Sequence, residues 1–433
     1  MRIGLRFVAS LLALVMAALA PLATAQAQSA DDFYQPPAAD AMPSTNGALI
    51  RQRSMDLSWI KVGDLQVPIG GVGTLIMYRS SDLAGNPVAV TGVYVEPNQP
   101  WRGDGPRPLV SLALATQGEG DACAPSKSLS RGLNFEDGHL MVNYEIPFIS
   151  TLVARGVAVV MTDYIGLGNP ETPHSYVNRI DQGHAVLDAV RAALALPNTG
   201  LSTDSPIGLY GYSQGGSASG AAAELAASYA PELNMRGAYV GSPVADLTES
   251  LKVIDGSLIS GVIAWEIAGN VQYYPDLVPL LPEVFNDRGL RWLDSSADQC
   301  ITDVLLVGFR PTSLYTRTGE SLTKVLQRYP AIEQVLEDQR LGKVAPEMPV
   351  LVVTGTQDDL VGHQQVKQMA SNWCDLGANV TYRPYIELFP SFGFGYNHTW
   401  PVAVEPLDAQ NWLVERLRNQ PVESNCSRIS ILP

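Results

Sequence analysis

The sequence predicts an α/β protein: a mostly parallel central sheet flanked by helices, with a helical cap insertion at about residues 245–345. Three observations lead there. Short β-branched or apolar runs bounded by Gly, Pro and Asp recur along the chain, as buried parallel strands do. Helical patterns separate them, which is the alternation of a layered α/β sandwich. One stretch of about a hundred residues then breaks that rhythm with apolar helical pieces only.

In chain order, Arg2 and Arg6 precede an apolar run from Phe7 to Ala20 broken only by Ser10, and small residues follow through Ala27. A charged start, a short apolar stretch and an A-x-A site make residues 1–27 a secretory signal peptide, cleaved near Ala25 or Ala27. The run is too short for the ~20 apolar residues of a membrane span, so no transmembrane anchor is expected. Residues 28–46, rich in Ala, Pro, Ser and Asn, read as a loose leader, and residues 28–433 as one domain.

The strand candidates are Val88–Val95, Leu109–Leu114, Val157–Met161, Ile207–Tyr210, Val350–Thr354 and Val380–Tyr382. Ile180–Leu194 and Ser217–Tyr229 carry the clearest helical patterns, and Leu258–Ile267 and Leu322–Leu336 are the helical pieces of the insertion. A 46% apolar content suffices for a large core. The formal charge of −15 becomes −17 once Arg2 and Arg6 leave with the signal. Such a surface repels phosphate backbones, so nucleic acid is not an expected partner. The cysteines are Cys123, Cys300, Cys374 and Cys426. An even count in an exported chain suggests two disulfides, and no C-x-x-C points to a metal site. Buried free thiols are the alternative.

The chemistry concentrates at Gly211-Tyr212-Ser213-Gln214-Gly215, a G-x-S-x-G between an apolar strand and a helix of small residues. Bare, that pattern is weak; between a strand and a helix it describes a nucleophile elbow, a strained turn that leaves the serine hydroxyl exposed. Glycines on either side let the backbone pass closely, and the helix N-terminus favours developing negative charge. The elbow makes the expected class an α/β-hydrolase fold.

A serine hydroxyl needs a base, and the base needs an acid to orient it. In this fold the chain order is Ser, acid, His. Only His363 and His398 follow Ser213. Asp358 and Asp359 sit on the loop after strand Val350–Thr354, on the same sheet edge as the elbow, and Asp358 is favoured. His398 follows the last strand and precedes the final helix, where the base belongs. His363 is expected on a helix surface. His139, His174 and His184 read as packing or surface residues. The oxyanion donors are expected to be the backbone N–H of Gln214 and one from the loop Ala115–Gly120.

The segments Thr116-Gln117-Gly118 with Asp121–Ser126, Asp163–Gly168, Gly211–Gly216, Ala222–Leu225, Tyr229–Leu233 and Asp358–Val361 together resemble the secretory lipase family of bacterial exported and fungal lipase-A-type enzymes. The resemblance runs across most of the chain after the signal. It implies the α/β-hydrolase core, a helical cap, no cofactor or metal, and a Ser213–Asp358–His398 triad with Gln117 and Gln214 amides as the oxyanion hole. It also implies Cys123–Cys300 and Cys374–Cys426 disulfides. Two departures stand out: Leu114-Ala115 where many relatives carry His-Gly, and Gly362 where many carry Pro. The expected activity is hydrolysis of carboxylic esters or lipids by a secreted or periplasmic enzyme. Acyl transfer or amide hydrolysis by the same triad, and a catalytically inactive binding protein, remain the alternatives.

Overall fold

The computed structural model describes all residues except 1–31, 58–59, 63–64, 137, 388–389 and 405. The expected signal peptide, residues 1–27, lies outside the described residues. The expected leader does not stay loose where it is described. Phe33 and Tyr34 are buried against the core, and the Tyr34 hydroxyl lies 2.9 Å from Ser126 Oγ. Two aromatic side chains in a polar stretch outweigh its composition, because each removes a large apolar area from water.

A nine-stranded sheet organises the chain. Its strands are β1 (Leu49–Met55), β2 (Gly71–Ser81), β3 (Pro87–Pro97), β4 (Leu109–Ala113), β5 (Ala158–Thr162), β6 (Ile207–Tyr212), β7 (Met235–Gly241), β8 (Val350–Gly355) and β9 (Val380–Tyr385). Their spatial order is β1-β2-β3-β5-β4-β6-β7-β8-β9. The first three strands form antiparallel pairs, and β3 pairs antiparallel with β5. From β5 onward every pairing is parallel. The parallel strands β4, β5 and β8 are buried at every position, as strands covered on both faces must be.

Three strands were not legible as such. β1, on the sheet edge, carries Arg51, which is half-buried, and Gln52 and Arg53, which are exposed. β2 and β7 are interrupted by glycines and, in β7, by Arg236. At Gly71 and Gly73 an added Cβ would press on backbone or on Leu57, so tight packing favours the residue that local propensity disfavours.

The helices are α1 (Ile146–Val153), α2 (Arg179–Leu194), α3 (Gln214–Tyr229), α4 (Leu247–Ile254), α5 (Val262–Val271), α6 (Asp287–Asp294), α7 (Ile301–Leu306), α8 (Leu322–Leu326), α9 (Pro330–Asp338), α10 (His363–Asp375), α11 (Tyr396–Val404) and α12 (Pro406–Leu417). Two sets cover the sheet. On one side α12 lies on β6 and β7, with Leu413 against Gly208, and Gln410 donates to the Phe148 carbonyl in α1. On the other, α2 packs on α3. There the fully buried Glu224 of α3 pairs with Arg179 at 2.5 Å and accepts from Trp373 Nε1 of α10 at 2.8 Å. It also accepts from Gly342 N at 2.6 Å. A buried carboxylate needs this many donors to offset desolvation, and the donors tie three helices and a loop together.

Between β7 and β8 the chain is helical from α4 to α9. Two helical expectations shift there. The piece expected at Leu258–Ile267 forms α5 four residues later, after a run of turns from Asp255. The piece expected at Leu322–Leu336 splits into α8 and α9 at Pro330, which stands at the first position of α9. Proline has no N–H to continue a helix but suits its first turn. The cysteines pair as Cys123–Cys300, which ties the loop after β4 to the start of α7, and Cys374–Cys426, which fastens the C-terminal turn to α10. No helix among the described residues is long and apolar enough to cross a membrane.

Candidate active site

Parallel pairing sends the C-terminal ends of β4, β6, β8 and β9 to one edge of the sheet, the usual place for a site in an α/β protein. Ser213 leaves β6 there. It adopts φ 60° and ψ −123° and forms the N-cap of α3. A non-glycine residue with positive φ is held only when its surroundings over-determine it. Here an added Cβ at Gly211 would overlap the Gly215 carbonyl, and one at Gly215 would overlap the Ala113 carbonyl. The G-x-S-x-G glycines are therefore required by close packing of the turn on itself and on the end of β4.

The structure brings Ser213, His398 and Asp358 into one hydrogen-bonded line. His398 Nε2 is 2.9 Å from Ser213 Oγ. His398 Nδ1 is 2.8 and 3.0 Å from the two Asp358 oxygens. Ser213 is half-buried, while His398 and Asp358 are buried. Asp358 Oδ1 also accepts from Leu360 N at 3.1 Å and Val361 N at 3.0 Å. Burial alone would raise the Asp358 pKa, but the His398 charge and hydrogen bond, with these two amides, hold it below the usual carboxylate value. Burial likewise opposes charge on His398; the Asp358 charge and hydrogen bond, and the Asp359 charge, outweigh it and raise the imidazole pKa.

Several neighbours of this line were not legible in the sequence. Asp359 turns away from the imidazole and takes the backbone instead: its Oδ1 accepts from His398 N at 3.1 Å and its Oδ2 from Gly395 N at 2.9 Å. The Asp-Asp dipeptide thus divides its work, one side chain on the ring and one on the loop that carries it. The Tyr212 hydroxyl donates to the His398 carbonyl at 2.6 Å. Glu387 accepts from Thr356 Oγ1 at 2.8 Å and Gln357 N at 3.0 Å, which fixes the turn that leads to Asp358.

His363 is not on a helix surface. It begins α10 but is buried, with its Nε2 3.3 Å from the Tyr382 hydroxyl. A first-turn position can point back into the sheet, and β9 supplies the wall. Gly362, which replaces the family's Pro, has φ 85°; proline, fixed near −65°, could not adopt it. Of the earlier histidines, His174 is buried with Nδ1 2.8 Å from the Ile165 carbonyl. His184 stacks on Tyr229, and His139 pairs with Asp303 at 2.6 Å.

The loop after β4 is held at successive residues. Tyr164 donates to the Leu114 carbonyl at 2.6 Å, and Tyr144 donates to the Thr116 carbonyl. Ile301 N donates to the Gln117 carbonyl at 2.8 Å, and the Thr116 and Tyr176 hydroxyls are 2.9 Å apart. Glu145 accepts from Ala115 N at 2.9 Å, and burial pushes its carboxyl up to about 7. Among the described residues, neither the Gln117 N–H nor the Gln214 N–H has an acceptor. Leu114 and Ala115 are both held through their backbone groups, by Tyr164 and Glu145.

The family model described as secretory lipase matches residues 131–425. The chain belongs to the secretory lipase family. It is 32% identical to a probable inactive lipase of Mycobacterium tuberculosis, over 91% of this chain and 83% of that one. It is 28% identical to lipase 5 of Candida albicans, covering 93% of this chain and 83% of that protein. Candida antarctica lipase A in its closed state superimposes with a TM-score of 0.75 at 20% identity, over 92% of this chain and 87% of that one. A ligand-bound form of the rice cell wall degrading esterase LipA from Xanthomonas oryzae gives 0.70 at 20% identity, over 86% of this chain and all of that one. At these identities the superpositions establish the fold, and this member of the secretory lipase family has the α/β-hydrolase fold.

Proposed function

We propose that this member of the family is an exported carboxylic ester hydrolase, a lipase or esterase, which works through an acyl-enzyme on Ser213. The observation that carries the proposal is the Asp358–His398–Ser213 line, with 2.8 Å and 2.9 Å links. In this reading His398 takes the proton of Ser213 as the hydroxyl attacks the ester carbonyl. Asp358 holds the imidazole in the tautomer that leaves Nε2 free to do so, and stabilises its charge. The tetrahedral oxyanion is received by the N–H groups of Gln214, at the start of α3, and Gln117. The alcohol leaves with the proton from His398, and water, activated by the same base, releases the acid.

The acyl or alcohol group would lie against the helical segment between β7 and β8, which serves as a cap. An apolar cavity of about 70 Å³ is enclosed there by Leu251, Ile263, Leu277, Phe285 and Leu322, among others. The helix that carries Leu251 also touches the acid loop and the helix after it: Val253 approaches Gly362, and Ser250 Oγ accepts from Gln365 Nε2 of α10 at 2.7 Å.

The M. tuberculosis relative bears the name of a probable inactive lipase, which favours a second reading, a hydrolase fold retained for binding. The side chains that catalysis needs, in hydrogen-bonding positions, weigh against it. Labelling with a fluorophosphonate, followed by release of p-nitrophenol from acyl esters of two to sixteen carbons, separates the readings. Stoichiometric labelling at Ser213 with turnover supports the hydrolase; neither, in a folded sample, supports the binding protein.

A further inference from the structure

The helical segment between β7 and β8 contains a second cavity, of about 260 Å³, lined by Arg288, Arg291 and Arg310 together with Ser260, Ser295 and Gln299. Its charge is out of character for the molecule. The whole chain carries −15, and two further cavities in this segment have no basic residue in their lining. Six arginines elsewhere, Arg107, Arg179, Arg191, Arg328, Arg340 and Arg416, each stand within 4.0 Å of a carboxylate. None of the three that line this cavity forms an ion pair among the described residues.

The group is also held in place. Arg288 lies over the Tyr315 ring, 5.2 Å from its centroid, and Tyr315 is backed by Trp292, stacked at 4.3 Å and 15°. A guanidinium resting on an aromatic face keeps its N–H edge available and loses less rotamer freedom when it binds. Arg291 is one helical turn away on α6, so the two side chains share a face. Arg310 closes the ring from the segment after α7, where its backbone N donates to Ser260 Oγ at 3.3 Å.

We propose that this cavity is a binding site for a phosphoryl group. Three guanidinium forks suit a tetrahedral oxyanion with three or more free oxygens better than a carboxylate with two, because each fork pairs with two acceptor positions. The two hydroxyls and the Gln299 amide add neutral partners. The group can arrive as free phosphate or as the phosphomonoester headgroup of phosphatidic acid, an anionic phospholipid that keeps three free oxygens. The rim bears on the second source: the segment that supplies Val307 and Arg310 leaves Leu306, Phe309 and Leu314 exposed. Phe309 packs on Phe394, 4.8 Å between centroids, in the loop that leads to His398. A headgroup site beside exposed apolar side chains on the same face as that loop would settle the molecule on an anionic lipid surface despite its overall charge. The site is independent of the reaction proposed above.

The test is calorimetric titration of the full chain with inorganic phosphate, and flotation with vesicles of phosphatidylcholine containing or lacking phosphatidic acid. Arg291→Gln, Arg310→Gln and the Arg288→Gln/Arg291→Gln/Arg310→Gln variant are run in parallel. Saturable phosphate binding that weakens about tenfold or more in each single variant, and is lost in the triple variant, supports the site with the free anion as ligand. Flotation that depends on phosphatidic acid and is lost in the triple variant, with no binding of phosphate alone, supports it with the headgroup as ligand. Absence of both in the wild type, or binding that the substitutions leave unchanged, overturns it. The three arginines are exposed, so the variants should melt with the wild type and hydrolyse p-nitrophenyl butyrate at its rate.

Discussion

Replacing Asp359 by Asn tests how far the loop behind His398, and not only the three side chains proposed to react, carries the chemistry. The carboxylate gives one oxygen to Gly395 N at 2.9 Å and the other to His398 N at 3.1 Å, and it is buried. Asparagine keeps one acceptor and turns the other position into a donor, so one backbone N–H faces an NH2 group. A hydrogen bond to a charged group contributes about 1.5–3 kcal/mol, and a stranded buried donor costs about 1–3 kcal/mol. Since one of the two bonds survives, the whole change should cost the fold about 2–4 kcal/mol. The loop that aims His398 would shift by a fraction of an ångström to an ångström, enough to lower kcat/KM about 10²-fold. A second consequence separates this from general loosening. The Asp359 charge helps raise the His398 pKa above its ordinary value. The acid limb of kcat/KM, which falls as His398 takes up its proton, should therefore move to lower pH in the variant. The sign for stability follows: a raised imidazole pKa adds stability below the unfolded value of 6.5, lost as pH rises through the folded value. Asp359→Asn should reduce that acid-side contribution. Urea unfolding at pH 5 and 8 with initial rates on p-nitrophenyl butyrate between them gives all three quantities. An unfolding midpoint and a kcat/KM both indistinguishable from wild type would refute the reasoning.

Ser213→Ala should lower kcat about 10⁴-fold or more while the protein stays folded, checked by rate and circular dichroism; a tenth of the wild-type rate would remove Ser213 as nucleophile. Glu145→Gln addresses stability against pH: its carboxyl ionises near 4.5 unfolded and about 7 folded, so the fold loses up to about 3 kcal/mol as pH rises across that window. The variant should lack that loss, which denaturation at pH 5 and pH 8 measures, and equal slopes for both proteins would argue against it. The Cys123–Cys300 and Cys374–Cys426 bridges span 177 and 52 residues. Removing them as Ala pairs should cost about 5 and about 4 kcal/mol by loop-closure entropy, with strain or residual unfolded structure reducing the figures. Only the first pair holds the loop after β4 to α7, so its loss should also lower kcat; equal kinetic effects from both pairs would contradict that placement.

The sequence by itself determined those features in which local pattern and chemistry agree. The strands β4, β5, β6 and β8 were legible because burial on both faces leaves a continuous apolar run. Ser213 was legible because an elbow needs glycine at fixed positions, and His398 because so few histidines follow it. The edge and glycine-interrupted strands β1, β2 and β7 were not, since their residues answer to neighbours distant in the chain. Phe33 and Tyr34 were misjudged by composition, and His363 by its place at a helix start. The division of labour between Asp358 and Asp359 could not be read from two identical adjacent residues; it depends on where the loop after β9 approaches them. Glu145, Tyr144 and Tyr164 grip the loop after β4 from segments 28 to 50 residues away, and the three arginines of the second cavity come from two separated stretches. A hydrogen bond or a charge cluster of that kind has no periodicity to read, because only the packing of the elements brings its members within reach.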